Sequence, residues 1–304
     1  MKKVAILISG IFNRAKEFHK KQAEILLYNF KNYDVDIFIS TQYYIPKFSE
    51  CSTYDTKYSN KYYECKEDLI VFLNKIYKNK IRKLVFVEKE IVYLNEIYEK
   101  IINHASSWIQ NYQKKNVLNT LFFYKAINNI EYDYYAYCRP DSLLFIHSLK
   151  NELGANINGF YKDSIITVTP DFSYPEYNVN KYYSKMKTPD KFGRINEYYS
   201  TVHRVKKISN MNFNDKKDIQ AINIEDLNIQ KDEIVIPSEL SDIYRNEKFL
   251  ICNNIKCITV FCSWIENILT DYNAAISPEK NHYDYVEKFI NVRKMENWSS
   301  HYVI

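Results

Sequence analysis

The chain has 304 residues, 46% hydrophobic and 26% charged, a balance ordinary for a globular protein with room for one large core. Only 4 glycines occur, and neither GxGxxG nor GxxxxGK(S/T) is present, which argues against a dinucleotide-binding Rossmann domain and a P-loop NTPase. The net charge of +5 suits small anionic ligands or phosphates and is too weak and too scattered to argue for nucleic acid.

Residues Lys3 to Ser9 form a continuous apolar run, which predicts a strand buried on both faces. Gly10 to Arg14 read as a loop, Ala15 to Phe30 as a helix and Val35 to Ser40 as a second buried strand. This strand–helix–strand opening points to a parallel sheet and an α/β fold. Residues 42–64 lack a period and read as a loop or insertion. Lys66 to Lys78 then predict a helix, and Arg82 to Glu88 a third strand. Two helical segments follow, over about 91–103 and 105–128. The second carries Trp108, Leu118, Leu121 and Ala126, with Gln113, Asn119 and Lys125 among its polar positions.

Tyr132 to Phe145 is the stretch on which the chain turns. Its aromatic start suits a strand. Pro140 removes a backbone donor and stops the ladder. Asp141 follows at once, ahead of an apolar run. A carboxylate at the end of a buried strand needs a cation, a hydrogen-bond donor or a metal. The alternative is plain turn chemistry, since Pro-Asp is a common turn pair.

Beyond it, Gly159 to Val168 suggests a strand and residues 170–187 a long loop. Thr188 to Gly193 reads as a turn, Ile195 to Ile208 as a helix and residues 209–232 as exposed helix and loop. Glu233 to Pro237 predicts a short strand, Ser238 opens a helix, and residues 248–261 suggest two mixed strands. The last 40 or so residues read as helical and polar, ending in a tail. One domain over residues 1–304 is expected.

The six cysteines form no CxxC pair. Cys252, Cys257 and Cys262 recur every five residues, which fits neither zinc-ligand spacing nor one strand face. Reduced, buried thiols are expected. The short apolar run after Met1-Lys2-Lys3 reads as a strand rather than a signal peptide, and no segment is long enough for a transmembrane helix. A soluble, cytoplasmic protein is the expectation.

Several of these pieces together resemble GT-A-fold glycosyltransferases of polysaccharide and lipopolysaccharide synthesis loci and of large DNA viruses. They are Ile8-Ser9-Gly10 with Arg14 after strand one, and Val35 to Thr41 as strand two. A long helix then leads into Arg139-Pro140-Asp141, and Asp190-Lys191-Phe192-Gly193 comes before a later helix. The resemblance covers roughly residues 3–245. It implies a Rossmann-like, mostly parallel sheet flanked by helices, with a helical C-terminal portion. Residues 1–150 would bind a nucleotide-sugar donor, and residues 151–304 a glycan or glycoconjugate acceptor.

In such enzymes a DxD motif holds Mn²⁺ or Mg²⁺ against the donor diphosphate. Here Asp141 would be the metal ligand, and Arg139 stands where the first carboxylate is usual. Arg139 would then point away or pair with phosphate directly. Ser9, Gly10, Arg14, Thr41, Asn119 and Lys125 are the further donor-site candidates. Arg14 is equally readable as a surface arginine, and Asn119 and Lys125 as a solvated helix face. Asp190 would be the catalytic base of an inverting reaction, with Glu239 second. His203 and His282 are possible metal ligands or lone surface histidines. Tyrosines between 172 and 183 could stack on acceptor sugars. Two alternatives stand beside the transferase: a non-catalytic GT-A-like binding module and a nucleotidyltransferase.

Overall fold

The computed structural model describes residues 1–12, 16–43, 63–87, 105–146, 221–237, 248–266, 278–295 and 298–302. Strand β1 (Lys3–Ser9) runs through the middle of the sheet. Side chains alternate across a strand, so Val4, Ile6 and Ile8 enter one core while Ala5 and Leu7 enter a second. A strand apolar on both faces needs cover on both, and the chain supplies it with helices on each side.

Helix α1 (Lys16–Asn29) and strand β2 (Asp34–Thr41) complete the opening unit, with β2 parallel to β1 from Lys3 opposite Asp34 to Ser9 opposite Ser40. Helix α2 (Lys66–Ile76) leads to β3 (Ile81–Phe86), parallel to β2. Ala23 and Leu26 of α1, with Leu69 and Leu73 of α2, cover the first face. Helix α3 (Ala105–Asn128) returns over the other face, where Val117, Leu118 and Leu121 meet Ala5 and Leu7. Strand β4 (Tyr134–Cys138) then enters parallel to β1 on its free side, Val4 opposite Tyr134 and Ile8 opposite Cys138.

After β4 come β5 (Ser142–Ile146), a 3₁₀ turn at Glu225–Leu227, β6 (Glu233–Pro237) and β7 (Phe249–Cys252). Helices α4 (Ile255–Cys262) and α5 (Pro278–Val286) and strands β8 (Asn291–Met295) and β9 (Trp298–Tyr302) follow. Among the described residues the main sheet has seven strands in the order β3-β2-β1-β4-β7-β6-β8. Strand β7 is antiparallel to both its neighbours and the other pairings are parallel. β5 leaves this sheet and pairs antiparallel with β9. No helix among the described residues is long and apolar enough to cross a membrane.

Two expectations need correction. Residues 248–261 hold one strand and one helix, not two strands. Asn254 caps α4 by accepting from Lys256 N, and Cys257, Ile258, Phe261 and Cys262 bury one face at helical spacing. The aromatic and β-branched content that suggests strand packs there as a helix stripe instead. The C-terminal portion also contains β8 and β9 as well as helix, because β6 and β5 each have an edge left to pair. The readings for 91–103, 159–168, 170–187 and 195–208, and the helix from Ser238, lie outside the described residues.

Candidate functional site

The chain leaves β1 toward β2 and comes back from β3 to β4, so the direction of strand addition reverses between β1 and β4. In open α/β sheets the crevice outside the carboxyl ends at such a reversal is where ligands bind. Ser9-Gly10 and Arg139-Pro140-Asp141 lie there. The two loops are in contact. Gly10 has φ +138°, and a Cβ on it would sit 2.8 Å from Pro140 Cδ. Only glycine allows both that backbone and that approach.

The Arg139 turn is held by its backbone. Arg139 N donates to Lys248 O at 3.0 Å, and Arg139 O accepts from Ser142 N at 3.3 Å. The same carbonyl accepts from Gln22 Nε2 at 2.8 Å and Ser142 Oγ at 3.0 Å. Three separate elements (α1, β5 and the approach to β7) therefore converge on the backbone of one residue.

Asp141 is engaged by its neighbour. Arg139 Nε donates to Oδ1 at 2.9 Å and Nη2 to Oδ2 at 2.7 Å, while Nη1 donates to Gln110 Oε1 at 3.1 Å. The two charged side chains are 18% and 16% exposed. A two-pronged guanidinium–carboxylate pair is the strong and geometrically defined kind. Behind it, burial pushes the Cys138 thiol well up, and the Asp141 charge adds to the shift.

The amino-terminal half of α3 supplies a polar shelf. Gln110, Gln113 and Lys114 share a helix face with Val117, Leu118 and Leu121 by their spacing. Gln113 Nε2 donates to Gln42 Oε1 at 2.9 Å, just past β2. Among the described residues, Gln42 Nε2 and Ser40 Oγ are buried without a hydrogen-bond partner. Lys114 is 1% exposed. Its Nζ lies 4.9 Å from the Phe261 ring centre, 6.0 Å from that of Tyr137 and 3.4 Å from His282 Nδ1. His282 Nε2 faces Phe261 O at 2.8 Å, so Nε2 donates and Nδ1 is left to accept from the ammonium. The Tyr137 hydroxyl in turn meets Ser9 Oγ at 2.9 Å.

Of the sequence candidates, Ser9, Gly10, Thr41, Arg139 and Asp141 gather at the carboxyl ends of β1, β2 and β4. Asn119 and Lys125 do not join them. Asn119 is exposed, about 13 Å along α3 from Gln110 at roughly 1.5 Å per residue. Lys125 Nζ donates to Glu131 Oε2 at 2.7 Å and to Tyr135 OH at 3.2 Å, toward the amino-terminal end of β4. His282 is buried rather than on the surface, and its ring nitrogens face Lys114 and the Phe261 carbonyl. Arg14, Asp190, His203, Glu239 and the 172–183 tyrosines lie outside the described residues. Sequence reasoning missed Gln42, Gln110, Lys114 and Tyr137 as site residues. The signal was present for α3: its apolar stripe turns polar at Gln110, Gln113 and Lys114.

Divalent Mn²⁺ or Mg²⁺ calls for hard oxygen acceptors, usually with one or two carboxylates. Among the described residues no three His, Cys, Asp or Glu side chains come together. Both oxygens of Asp141 already accept from Arg139. To reach a cation, the Asp141 carboxylate would have to leave the Arg139 guanidinium. No protein-family model and no curated protein matches this chain.

Proposed function

We propose that the chain transfers a sugar from a nucleotide-sugar donor to a glycan or glycoconjugate acceptor, as an enzyme of GT-A type. What supports this most is the meeting of the Gly10 and Arg139 loops at the β1/β4 reversal, with a guanidinium held in the crevice. In the inverting course, the acceptor oxygen bonds to the anomeric carbon and the bond to the nucleoside diphosphate breaks. A base takes the hydroxyl proton. Asp190 is our first choice for that base and Glu239 the second. The departing diphosphate gathers negative charge, and a positioned guanidinium stabilises such charge as it develops. The unpaired cysteines among the described residues fit a reducing, cytoplasmic setting.

A second reading is a non-catalytic nucleotide- or sugar-binding module. It is favoured by the engagement of Asp141 with Arg139, which takes up the one carboxylate of the turn. Incubation with a panel of nucleotide-sugars, with release of nucleoside diphosphate followed by chromatography, separates the two. We expect release with at least one donor, and a loss of about a hundredfold in Arg139→Ala, the scale of removing one transition-state donor. Binding without release would support the module instead. Neither binding nor release with any donor would sink both.

A further inference from the structure

We propose that the flank of α3 beside the β3 edge docks on an anionic lipid surface, with Phe123 and Ile127 entering the bilayer interface and Lys78 and Lys83 facing lipid phosphates. Such docking is independent of the transferase reading.

Phe123 and Ile127 are 62% and 64% exposed and stand one helical turn apart. Their direction follows from their neighbours. Gln113 meets Gln42, and the Tyr124 ring meets Phe38 edge-on with centres 5.4 Å apart, both on the β2 side of the helix. Lys125 instead meets Tyr135 on β4. At 3.6 residues per turn, Ile127 and Phe123 lie about 60° and 100° around the helix from Tyr124, on the side away from Lys125. They therefore project toward β3, the edge strand of the main sheet among the described residues.

That edge is basic. Lys78, Lys80, Arg82 and Lys83 crowd the turn into β3 and its first positions, with no carboxylate between them. Lys83 stands opposite Phe38 in the β2/β3 register, on the strand next to the one that Tyr124 covers. Asp34 pairs with Lys80 at 3.7 Å, and Asp36 pairs with Arg82. Lys78 and Lys83 are exposed, and no carboxylate among the described residues pairs with either. Helix α3 itself carries no acid along its 24 residues, and Glu131 beyond its end pairs with Lys125 at 2.7 Å.

Apolar side chains beside ammonium groups on long stems suit the boundary of a bilayer, where the apolar groups reach the acyl chains and the ammonium groups stay with the phosphates. A negatively charged leaflet attracts such lysines. They are point charges, without the fork that Arg brings to a defined carboxylate site. A second copy joined edge to edge through β3 would press Arg82 and Lys83 against their own images.

The test is flotation of the full chain with vesicles of phosphatidylcholine alone and of phosphatidylcholine with about one-third phosphatidylglycerol. The chain should float with the anionic vesicles, stay behind with the neutral ones, and release as salt approaches about 1 M. Phe123→Ser combined with Ile127→Ser should weaken binding about tenfold or more. Lys78→Gln combined with Lys83→Gln should do the same, at about fivefold per charge. Val71→Ser removes an equally exposed apolar side chain, 67% exposed, from α2 on the opposite face of the sheet, and should leave binding unchanged. Brominated acyl chains should quench the added fluorescence of Phe123→Trp and not that of Val71→Trp. Circular dichroism checks that each variant is folded. No flotation with anionic vesicles, flotation untouched by the Phe123 and Ile127 changes, or equal quenching at both tryptophans overturns the proposal. A dimer in sedimentation that those two changes dissolve, with no flotation of the wild type, overturns it in favour of a second copy.

Discussion

Gly10 is the residue on which the crevice depends. Its φ of +138° is closed to ordinary L residues, and Pro140 Cδ would lie 2.8 Å from an added Cβ. Gly10→Ala must therefore strain the backbone or push the Arg139 turn outward. A loss on the order of 2–3 kcal/mol is expected in urea unfolding, within the range for a forced backbone. Donor affinity should fall with it. A different residue-scale feature governs acid stability. Glu225 accepts from Tyr33 OH at 2.5 Å and pairs with Lys2 Nζ at 3.0 Å, and Tyr33 OH accepts from Ile224 N at 2.7 Å. The Tyr33 bond, then Lys2, holds the Glu225 carboxyl below its ordinary 4.5. Burial, then the Glu225 bond, pushes Tyr33 up to about 12. A carboxyl depressed in the folded state adds stability above its unfolded value and loses it as pH falls through the folded one. Glu225→Gln should thus lower Tm at neutral pH, and the gap to wild type should close as pH falls below the ordinary carboxyl value of 4.5 and through the lower folded one. A gap independent of pH would show that Glu225 acts by packing alone.

At the scale of elements, α3 carries two jobs on one face. Its lower part, Val117, Leu118 and Leu121, packs the core, and its upper part carries Gln110, Gln113 and Lys114, which meet Arg139, Gln42 and His282. Gln113→Leu leaves Gln42 Oε1 buried and without its donor, at about 1–3 kcal/mol. Leu at both positions removes the need for the pair, so the double variant should recover part of that loss in a double-mutant cycle. Simple additivity would refute a direct pair. Helix α4 gives an independent measure. Its cap is Asn254, accepting from Lys256 N at 2.9 Å, and Asn254→Ala should cost about 1 kcal/mol. The reading of strand over residues 248–261 passed over Asn254. The Ile, Val and Phe content of the run after it pointed toward strand. Whether such a run lies in a helix or a strand depends on which surface it is pressed against, here the β4 side of the sheet.

For the molecule as a whole, the cysteines report on burial. Cys138, Cys252, Cys257 and Cys262 are buried and Cys65 is exposed. Burial pushes the Cys257 thiol up to about 11 and the Cys262 thiol up to about 12, and raises Cys138 and Cys252 further. The folded chain keeps these protons while the unfolded chain gives them up, so stability should fall as pH rises above about 9. A thiol reagent at pH 8 should label Cys65 promptly and the four buried thiols only as fast as the protein opens, which mass spectrometry can follow. Prompt labelling of all would mean that the second core is not closed.

The sequence by itself determined the α/β class, the doubly buried β1, the β1–α1–β2 opening, the span of α3 and the place of Arg139-Pro140-Asp141 at the end of a strand. These depend on apolar period and on proline and glycine chemistry, which act within a few residues. Only the tertiary structure decided that Arg139 folds back onto Asp141, that Gly10 meets Pro140, that Ser9 reaches Tyr137, and that Lys114 and His282 are buried together. Most of these contacts join residues more than a hundred positions apart, and they follow from the order of strands in the sheet. The short-range pair, Arg139 with Asp141, takes its shape from the Lys248, Ser142 and Gln22 bonds that set the turn between them. No local pattern encodes those partners, because their identity is fixed by which elements the packed sheet brings side by side.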